Sequence, residues 1–247
     1  MKKIKFTEPK INLTSSTKYI KKTISNNFPN EGELTRLLEK KIKNILKVKY
    51  VTLTTSGTSA IYLALKASGI GKNDEVIIPN ITFPATANAV NMTGAKIILV
   101  DISKDSLLID LQSLKKKITK KTKAIIPVHI SGRGTNIKEI LKIAKKNKIR
   151  VIEDAAEAFG SKFKGKSLGS FGNCGCFSFA PNKIITTGQG GLIITNDKKI
   201  YLKINQLKDQ GKTKVLNYRN IYSYRGFNFK FTDVQAGIGL AQINEFK

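Results

Sequence analysis

The 247-residue chain reads as an α/β protein, a mixed and mostly parallel sheet flanked by helices. Three observations predict this class. Short β-rich runs alternate with stretches of helical periodicity, the pattern of successive strand–helix units. Hydrophobic content of 40% and charged content of 25% are ordinary for a globular chain long enough to bury a full core. No internal repeat and no low-complexity linker interrupts the alternation.

Residues 1–30 are irregular in pattern, with one helix expected near Thr17–Ser25, and are set apart as an N-terminal segment. Residues 31–247 form one large domain. Its first helix is marked by Leu34, Leu37, Leu38, Ile42, Ile45 and Leu46, which fall on one helical face. Tyr50–Thr54 then reads as a strand, Ser59–Ala67 as a helix, Glu75–Pro79 as a strand and Ala85–Met92 as a helix. Lys96–Asp101, Lys123–His129 and Arg150–Asp154 are further strands, and a helix over Ile137–Asn147 lies between the last two. A short apolar strand over Cys176–Phe179 runs toward Lys183, and Leu192–Thr195 is another strand. Thr232–Phe246 reads as a closing helix, with Val234, Ile238, Ala241 and Ile243 among its apolar positions. Sheets of this class bind ligands at the carboxyl ends of their strands, which brings the loops after Thr54, Pro79 and Asp154 into play.

The formal charge is +27, from 44 basic and 17 acidic residues. A nucleic-acid binder is one class this suggests. Only five of the basic residues are arginine, however, and the lysines are scattered along the whole chain. Readers of bases and phosphates favour the arginine fork, so the charge is assigned to overall composition and nucleic acid is not the expected partner. Cys174 and Cys176 are too few for a structural zinc site and badly placed to pair with each other. No metal is expected. No uninterrupted apolar stretch of signal-peptide type occurs within residues 1–20, and no apolar run approaches a membrane span. A reducing cytoplasm is the expected compartment.

The candidate chemistry lies in four segments. Thr55-Ser56-Gly57-Thr58-Ser59 precedes a helix, and small residues at a helix N-terminus suit an anion such as phosphate. The same residues also suit an ordinary cap by Thr58 or Ser59. Phe83, after the next strand, could lie flat on a planar ring or serve as a core residue. Asp154 ends a buried strand, where an unpaired charge is expensive. It calls for a cationic partner such as a protonated pyridine nitrogen, or it is a helix cap. Lys183 stands between an apolar strand and Thr186-Thr187-Gly188, then Gly190-Gly191. A partly buried lysine is a nucleophile suited to a Schiff base with a carbonyl cofactor. The single histidine, His129, ends a strand and is read as structural.

These segments, in this order along one chain, resemble the sugar aminotransferases of the DegT/DnrJ/EryC1/StrS family from about residue 31 to the end. The resemblance implies the large domain of a type I aminotransferase with pyridoxal 5'-phosphate as cofactor. It implies that Lys183 is the catalytic lysine and that Asp154 pairs with the pyridine nitrogen. Thr58, the Ser59 amide and Ser178 would cradle the phosphate, and Phe83 would stack on the ring. Glu157 stands where many members have a glutamine that contacts the phenolic oxygen, and an ionised glutamate can only accept a hydrogen bond there. Gly226–Ala236 is similar to the Gly-x-Asn-Tyr-Arg segment, so Asn228 would reach the phosphate of a partner subunit in a homodimer. Phe229-Lys230 replaces the Tyr-Arg pair, and Gln189 replaces a common glutamate. The dehydratases of the family carry histidine in place of this lysine, so Lys183 favours transamination.

The implied reaction takes an amino group from glutamate and gives it to a keto group of a nucleotide-linked deoxysugar, as the family's 4-aminotransferases do, for polysaccharide or glycan synthesis. Two other classes stay open: an impaired or regulatory protein that keeps the fold, and a nucleic-acid binder. The family's smaller C-terminal domain is not found after the last helix, so a C-terminally truncated chain is expected.

Overall fold

A computed structural model describes residues 9–25 and 29–246; the rest of the N-terminal segment, 1–8 and 26–28, lies outside the described residues, as does 247. The strands are β1 (Tyr50–Thr54), β2 (Glu75–Pro79), β3 (Lys96–Val100), β4 (Thr122–Ile125), β5 (Arg150–Asp154), β6 (Lys162–Phe163), β7 (Lys166–Ser167), β8 (Cys174–Ser178), β9 (Gly191–Thr195), β10 (Lys212–Leu216) and β11 (Arg219–Tyr222). The helices are α1 (Leu13–Ser25), α2 (Glu33–Leu46), α3 (Gly57–Ala67), α4 (Pro84–Thr93), α5 (Leu111–Lys117), α6 (Ile137–Lys146), α7 (Lys198–Lys208) and α8 (Asp233–Glu245).

Seven strands form one sheet in the order β1-β9-β8-β5-β4-β2-β3. The pairs β3–β2, β2–β4, β4–β5 and β5–β8 are parallel, and β9 runs antiparallel to both β8 and β1. The sheet is therefore mixed and mostly parallel, as the alternation predicts. Strand alternation sorts the core into two faces. Val76, Ile78, Ala124, Ile126, Ile152, Cys174, Cys176 and Ile193 share one cluster with residues of α3, α4 and α7. On the other face Ile77, Ile125 and Val151 meet α5 and α6, while Val51, Leu53, Phe177, Leu192 and Ile194 meet α2 and α8. Helices thus cover both faces, which is the arrangement a parallel sheet requires.

Three local readings change. The strand expected over Lys123–His129 stops at Ile125. Pro127 has no N–H to give a ladder, although its carbonyl accepts from Asp154 N–H at 2.9 Å and His129 N–H donates to Asp154 O at 2.9 Å, so the chain still tracks β5. Helix α3 begins at Gly57 and its cap is Ser56, not Thr58 or Ser59. Helix α1 starts at Leu13, before Thr17, and packs across α8. Helix α7 was not anticipated, yet Ile200, Ile204 and Leu207 fall at helical spacing and Asp197 caps it through Lys199 and Ile200 N–H.

Candidate active site

The carboxyl ends of β1, β2, β5 and β8 open on one edge of the sheet. Asp154 closes β5 and is only 5% exposed. Its Oδ2 accepts from Thr86 Oγ1 at 2.7 Å and its Oδ1 from Ala156 N–H at 3.1 Å. Thr86 is delivered by the first turn of α4, which starts at Pro84 because proline fits the first helical position. Burial pushes the Asp154 carboxyl above its ordinary value, against the Thr86 hydroxyl, the Ala156 N–H and the positive charge of Lys183. Among the described residues it makes no ion pair within 4 Å, so the buried acid is balanced by hydrogen bonds alone.

Lys183 follows β8, the parallel neighbour of β5, through a tight turn in which its N–H donates to Ala180 O at 3.0 Å. Its side chain is 16% exposed and Nζ lies 3.3 Å from Glu157 Oε1. The other carboxylate oxygen of Glu157 accepts from Ser131 N–H at 2.7 Å, which holds the glutamate from behind. Ser131, Ala156, Glu157, Phe159, Ser178 and Lys183 are among the residues that line a cleft of about 270 Å³. The structure thus brings Lys183, Glu157 and Ser178 together, one strand away from Asp154.

Helix α3 points its N-terminus at the same edge. Ser56 Oγ accepts from Ser59 N–H at 3.1 Å, and Ser59 Oγ accepts from Ser56 N–H at 3.0 Å, a reciprocal capping box. The Ser59 amide is engaged by this cap, and its side chain is buried among Thr54, Thr55 and Ser56. The N–H groups of Gly57 and Thr58 have no partner among the described residues, as the start of a helix leaves them. A Cβ built on Gly57 would sit 3.1 Å from Ser178 Cβ, so glycine here lets the helix start pack close against Ser178.

Residues 12–247 match the model of the DegT/DnrJ/EryC1/StrS aminotransferase family. The chain belongs to this family. It is 42% identical over 215 residues to the GDP-perosamine synthase of Escherichia coli O157:H7, a match covering 87% of this chain and 58% of that protein. To the GDP-perosamine synthase of Caulobacter vibrioides it is 45% identical over 205 residues, covering 83% of this chain and 55% of that one. The solved aminotransferase from Psychrobacter cryohalolentis superposes with a TM-score of 0.92 at 32% identity, covering 98% of this chain and 64% of that structure. The chain therefore spans about half to two thirds of the length of these relatives.

Two candidates of this DegT-family chain stand apart from the cleft. Phe83 caps α4 and is 78% exposed, its carbonyl accepting from Thr86 N–H at 3.1 Å. One face of the ring is therefore open, one turn from the threonine that holds Asp154. Asn228 is exposed and makes a backbone bridge to Asp209. Its neighbour Phe229 accepts from Thr55 N–H at 3.2 Å and Thr54 Oγ1 at 3.0 Å, which seats the segment beside the first loop. No hydrogen bond joins the Asn228 side chain to the other candidates among the described residues.

His129 is structural in this family member, as its sequence context suggests. Its Nδ1 accepts from Thr135 N–H at 3.3 Å, which leaves Nε2 to donate to Glu153 Oε2 at 2.8 Å. That pattern is the neutral tautomer. Glu153 also accepts from Gly169, Phe171 and Gly172 N–H, so this buried carboxylate is fully engaged. Sequence reasoning missed Thr86, Ser56 and Ser131. Of these Ser56 carried a signal, since Ser-x-x-Ser before an apolar run is a capping pattern; Thr86 and Ser131 act through contacts no local pattern encodes.

Proposed function

We propose that this chain is the cofactor-binding part of a pyridoxal-phosphate-dependent aminotransferase that moves an amino group from glutamate to a keto group of a nucleotide-linked deoxysugar. The observation that carries the reading is the pairing of two strand ends: the buried, cation-free carboxyl of Asp154 on β5 and the sheltered amine of Lys183 after β8. Family membership and the perosamine-synthase relatives supply the reaction class.

The residues fit the cofactor on two counts. Asp154 is a buried acid with no ion pair among the described residues, and the start of α3 sets the unpartnered Gly57 and Thr58 N–H groups close to the Ser178 hydroxyl, donors suited to a phosphate. Bound pyridoxal phosphate supplies the electron sink that lets an amino group leave one substrate and join another. Asp154 would hold the proton on the pyridine nitrogen. Gly57 and Thr58 N–H and Ser178 Oγ would hold the phosphate, with Ser59 ordering that loop through the cap. Phe83 offers its open face to the ring. Glu157, pinned by Ser131, would accept a hydrogen bond at the phenolic oxygen, and it keeps Lys183 Nζ close. Lys183 Nζ would move the proton between substrate and cofactor.

Asn228, exposed beside the first loop, would complete the phosphate site of a second copy in a homodimer. No described helix is long and apolar enough to cross a membrane. We place the protein in the cytoplasm, where nucleotide sugars serve as polysaccharide precursors. The test is Lys183→Ala. The wild-type chain mixed with pyridoxal phosphate should gain a yellow absorbance that borohydride traps on Lys183, and glutamate should bleach it; the variant should do neither. A reducible adduct on another lysine at wild-type yield would sink the assignment.

A further inference from the structure

The segment that carries Lys183 is held by α8 as well as by its own turn. Thr186, buried just beyond the lysine, presents both backbone groups to one side chain. Its N–H donates to Gln242 Oε1 at 3.1 Å and its carbonyl accepts from Gln242 Nε2 at 3.1 Å. Only one orientation of the amide satisfies both groups. On the same face of α8, two turns earlier, Gln235 Nε2 donates to Gln189 O at 2.8 Å. Gly239 lies between the two glutamines. A Cβ there would sit 3.1 Å from Thr187 Cγ2 and 2.7 Å from Leu38 Cδ2, so glycine lets the helix close on the loop. The loop is tied internally as well: Thr187 N–H and Thr186 Oγ1 both donate to Phe179 O at 3.0 Å.

We propose that the Gln235–Gly239–Gln242 face of α8 is a positioning rail that sets where the Lys183 amine stands in the cleft. The rail acts on Lys183 through the backbone of Thr186 to Gln189 and touches neither the start of α3 nor the carboxylates. It rests on Lys183 being the reactive amine. Helix α8 also packs on α1 and α2, so the rail joins the N-terminal helices to the lysine loop. A side-chain amide suits this role because it mimics a strand partner, one donor and one acceptor, where no strand is available.

The test compares the 247-residue chain with Gln242→Met, which keeps length and loses both hydrogen bonds, and with Gln242→Glu, which keeps shape but sets a carboxylate against the Thr186 carbonyl. On the cofactor-free chain, Thr186 amide hydrogen exchange should rise about tenfold in Gln242→Met, beyond any rise at the β8 and α8 amides, whereas Gln242→Glu keeps an acceptor for that N–H and loses only the bond to the carbonyl. With pyridoxal phosphate and borohydride, the share of label on Lys183 should fall about threefold, while non-covalent binding of pyridoxamine phosphate is unchanged. Unchanged Thr186 protection overturns the rail. So does an exchange rise that is equal at every amide and accounted for by the fall in urea midpoint, which marks a merely structural contact. Full labelling of Lys183 in a variant whose loop is released overturns it as well. A wild-type chain that takes no label on Lys183 overturns the aminotransferase reading instead, and the exchange data then decide the clamp by themselves.

Discussion

Asp154 carries two opposed demands. As a buried carboxyl it weakens the fold, and under the proposed function it would be needed charged to hold a pyridine proton. Burial raises its folded value above the ordinary one, so between those two values the native chain binds more protons than the unfolded chain. Stability from this group is therefore lost as pH rises through that window, and the loss persists above it. In Asp154→Asn the loss disappears. Urea unfolding of the cofactor-free chains should show the variant gaining on wild type as pH rises above the ordinary aspartate range. The same variant should lose the glutamate half-reaction, since an amide cannot hold the ring proton. A stability difference that is flat with pH would remove the electrostatic account. The acid and the lysine were legible because a charge at the end of an apolar run is unusual. Thr86, which holds the acid, was not, because a threonine in the first turn of a helix looks like any other.

At the scale of elements, helix starts and sheet edges are completed by side chains from far along the chain. Helix α2 has glycine at its cap position and no side-chain cap of its own. Asp233, from the first turn of α8, accepts instead from Gly32, Leu34 and Thr35 N–H at 2.9, 3.1 and 2.9 Å, and from Thr35 Oγ1 at 2.7 Å. Asp233→Ala leaves those donors buried without a partner and should cost about 3 kcal/mol in urea denaturation, with Asp233→Asn recovering part of it. A loss under about 1 kcal/mol would show that water replaces the carboxylate. The edge strand β1 is finished in a similar way. Glu39 Oε1 accepts from Leu53 N–H at 2.9 Å, and Lys208 Nζ, only 3% exposed as a residue, reaches Leu53 O at 3.4 Å and Glu31 at 2.6 Å. Such plugs keep an open edge from pairing with another chain. The strands and helices themselves were readable from periodicity; the plug and the remote cap were not.

For the whole molecule, the charge of +27 is carried by lysines spread over the exposed helix faces. It supplies a general field that attracts anions. Asn228 makes the sharper statement, because its side chain faces outward beside the first loop. Sedimentation equilibrium should give a dimer. Lys183→Ala and Asn228→Ala chains, each poor in trapping pyridoxal phosphate, should recover part of the reducible absorbance when mixed, since a mixed dimer pairs Lys183 of one copy with Asn228 of the other. A monomer that binds the cofactor as well with alanine at 228 would dismiss the shared site.

The order of residues by itself determined the fold class, the end of the sheet that bears the site, and the chemical types present there: a lysine, an acid, a small-residue loop. These follow from periodicity, proline, glycine and caps, which act over a turn or two and leave a local trace. Tertiary structure alone decided who meets whom. Thr86 reaches Asp154 across 68 positions and Gln242 reaches Thr186 across 56. Asp154 and Lys183 become neighbours because β8 pairs with β5. That pairing is selected by covering both faces of one sheet with helices, a condition on all seven strands at once. No window of sequence contains it, so the candidate residues could be named in advance while their contacts could not.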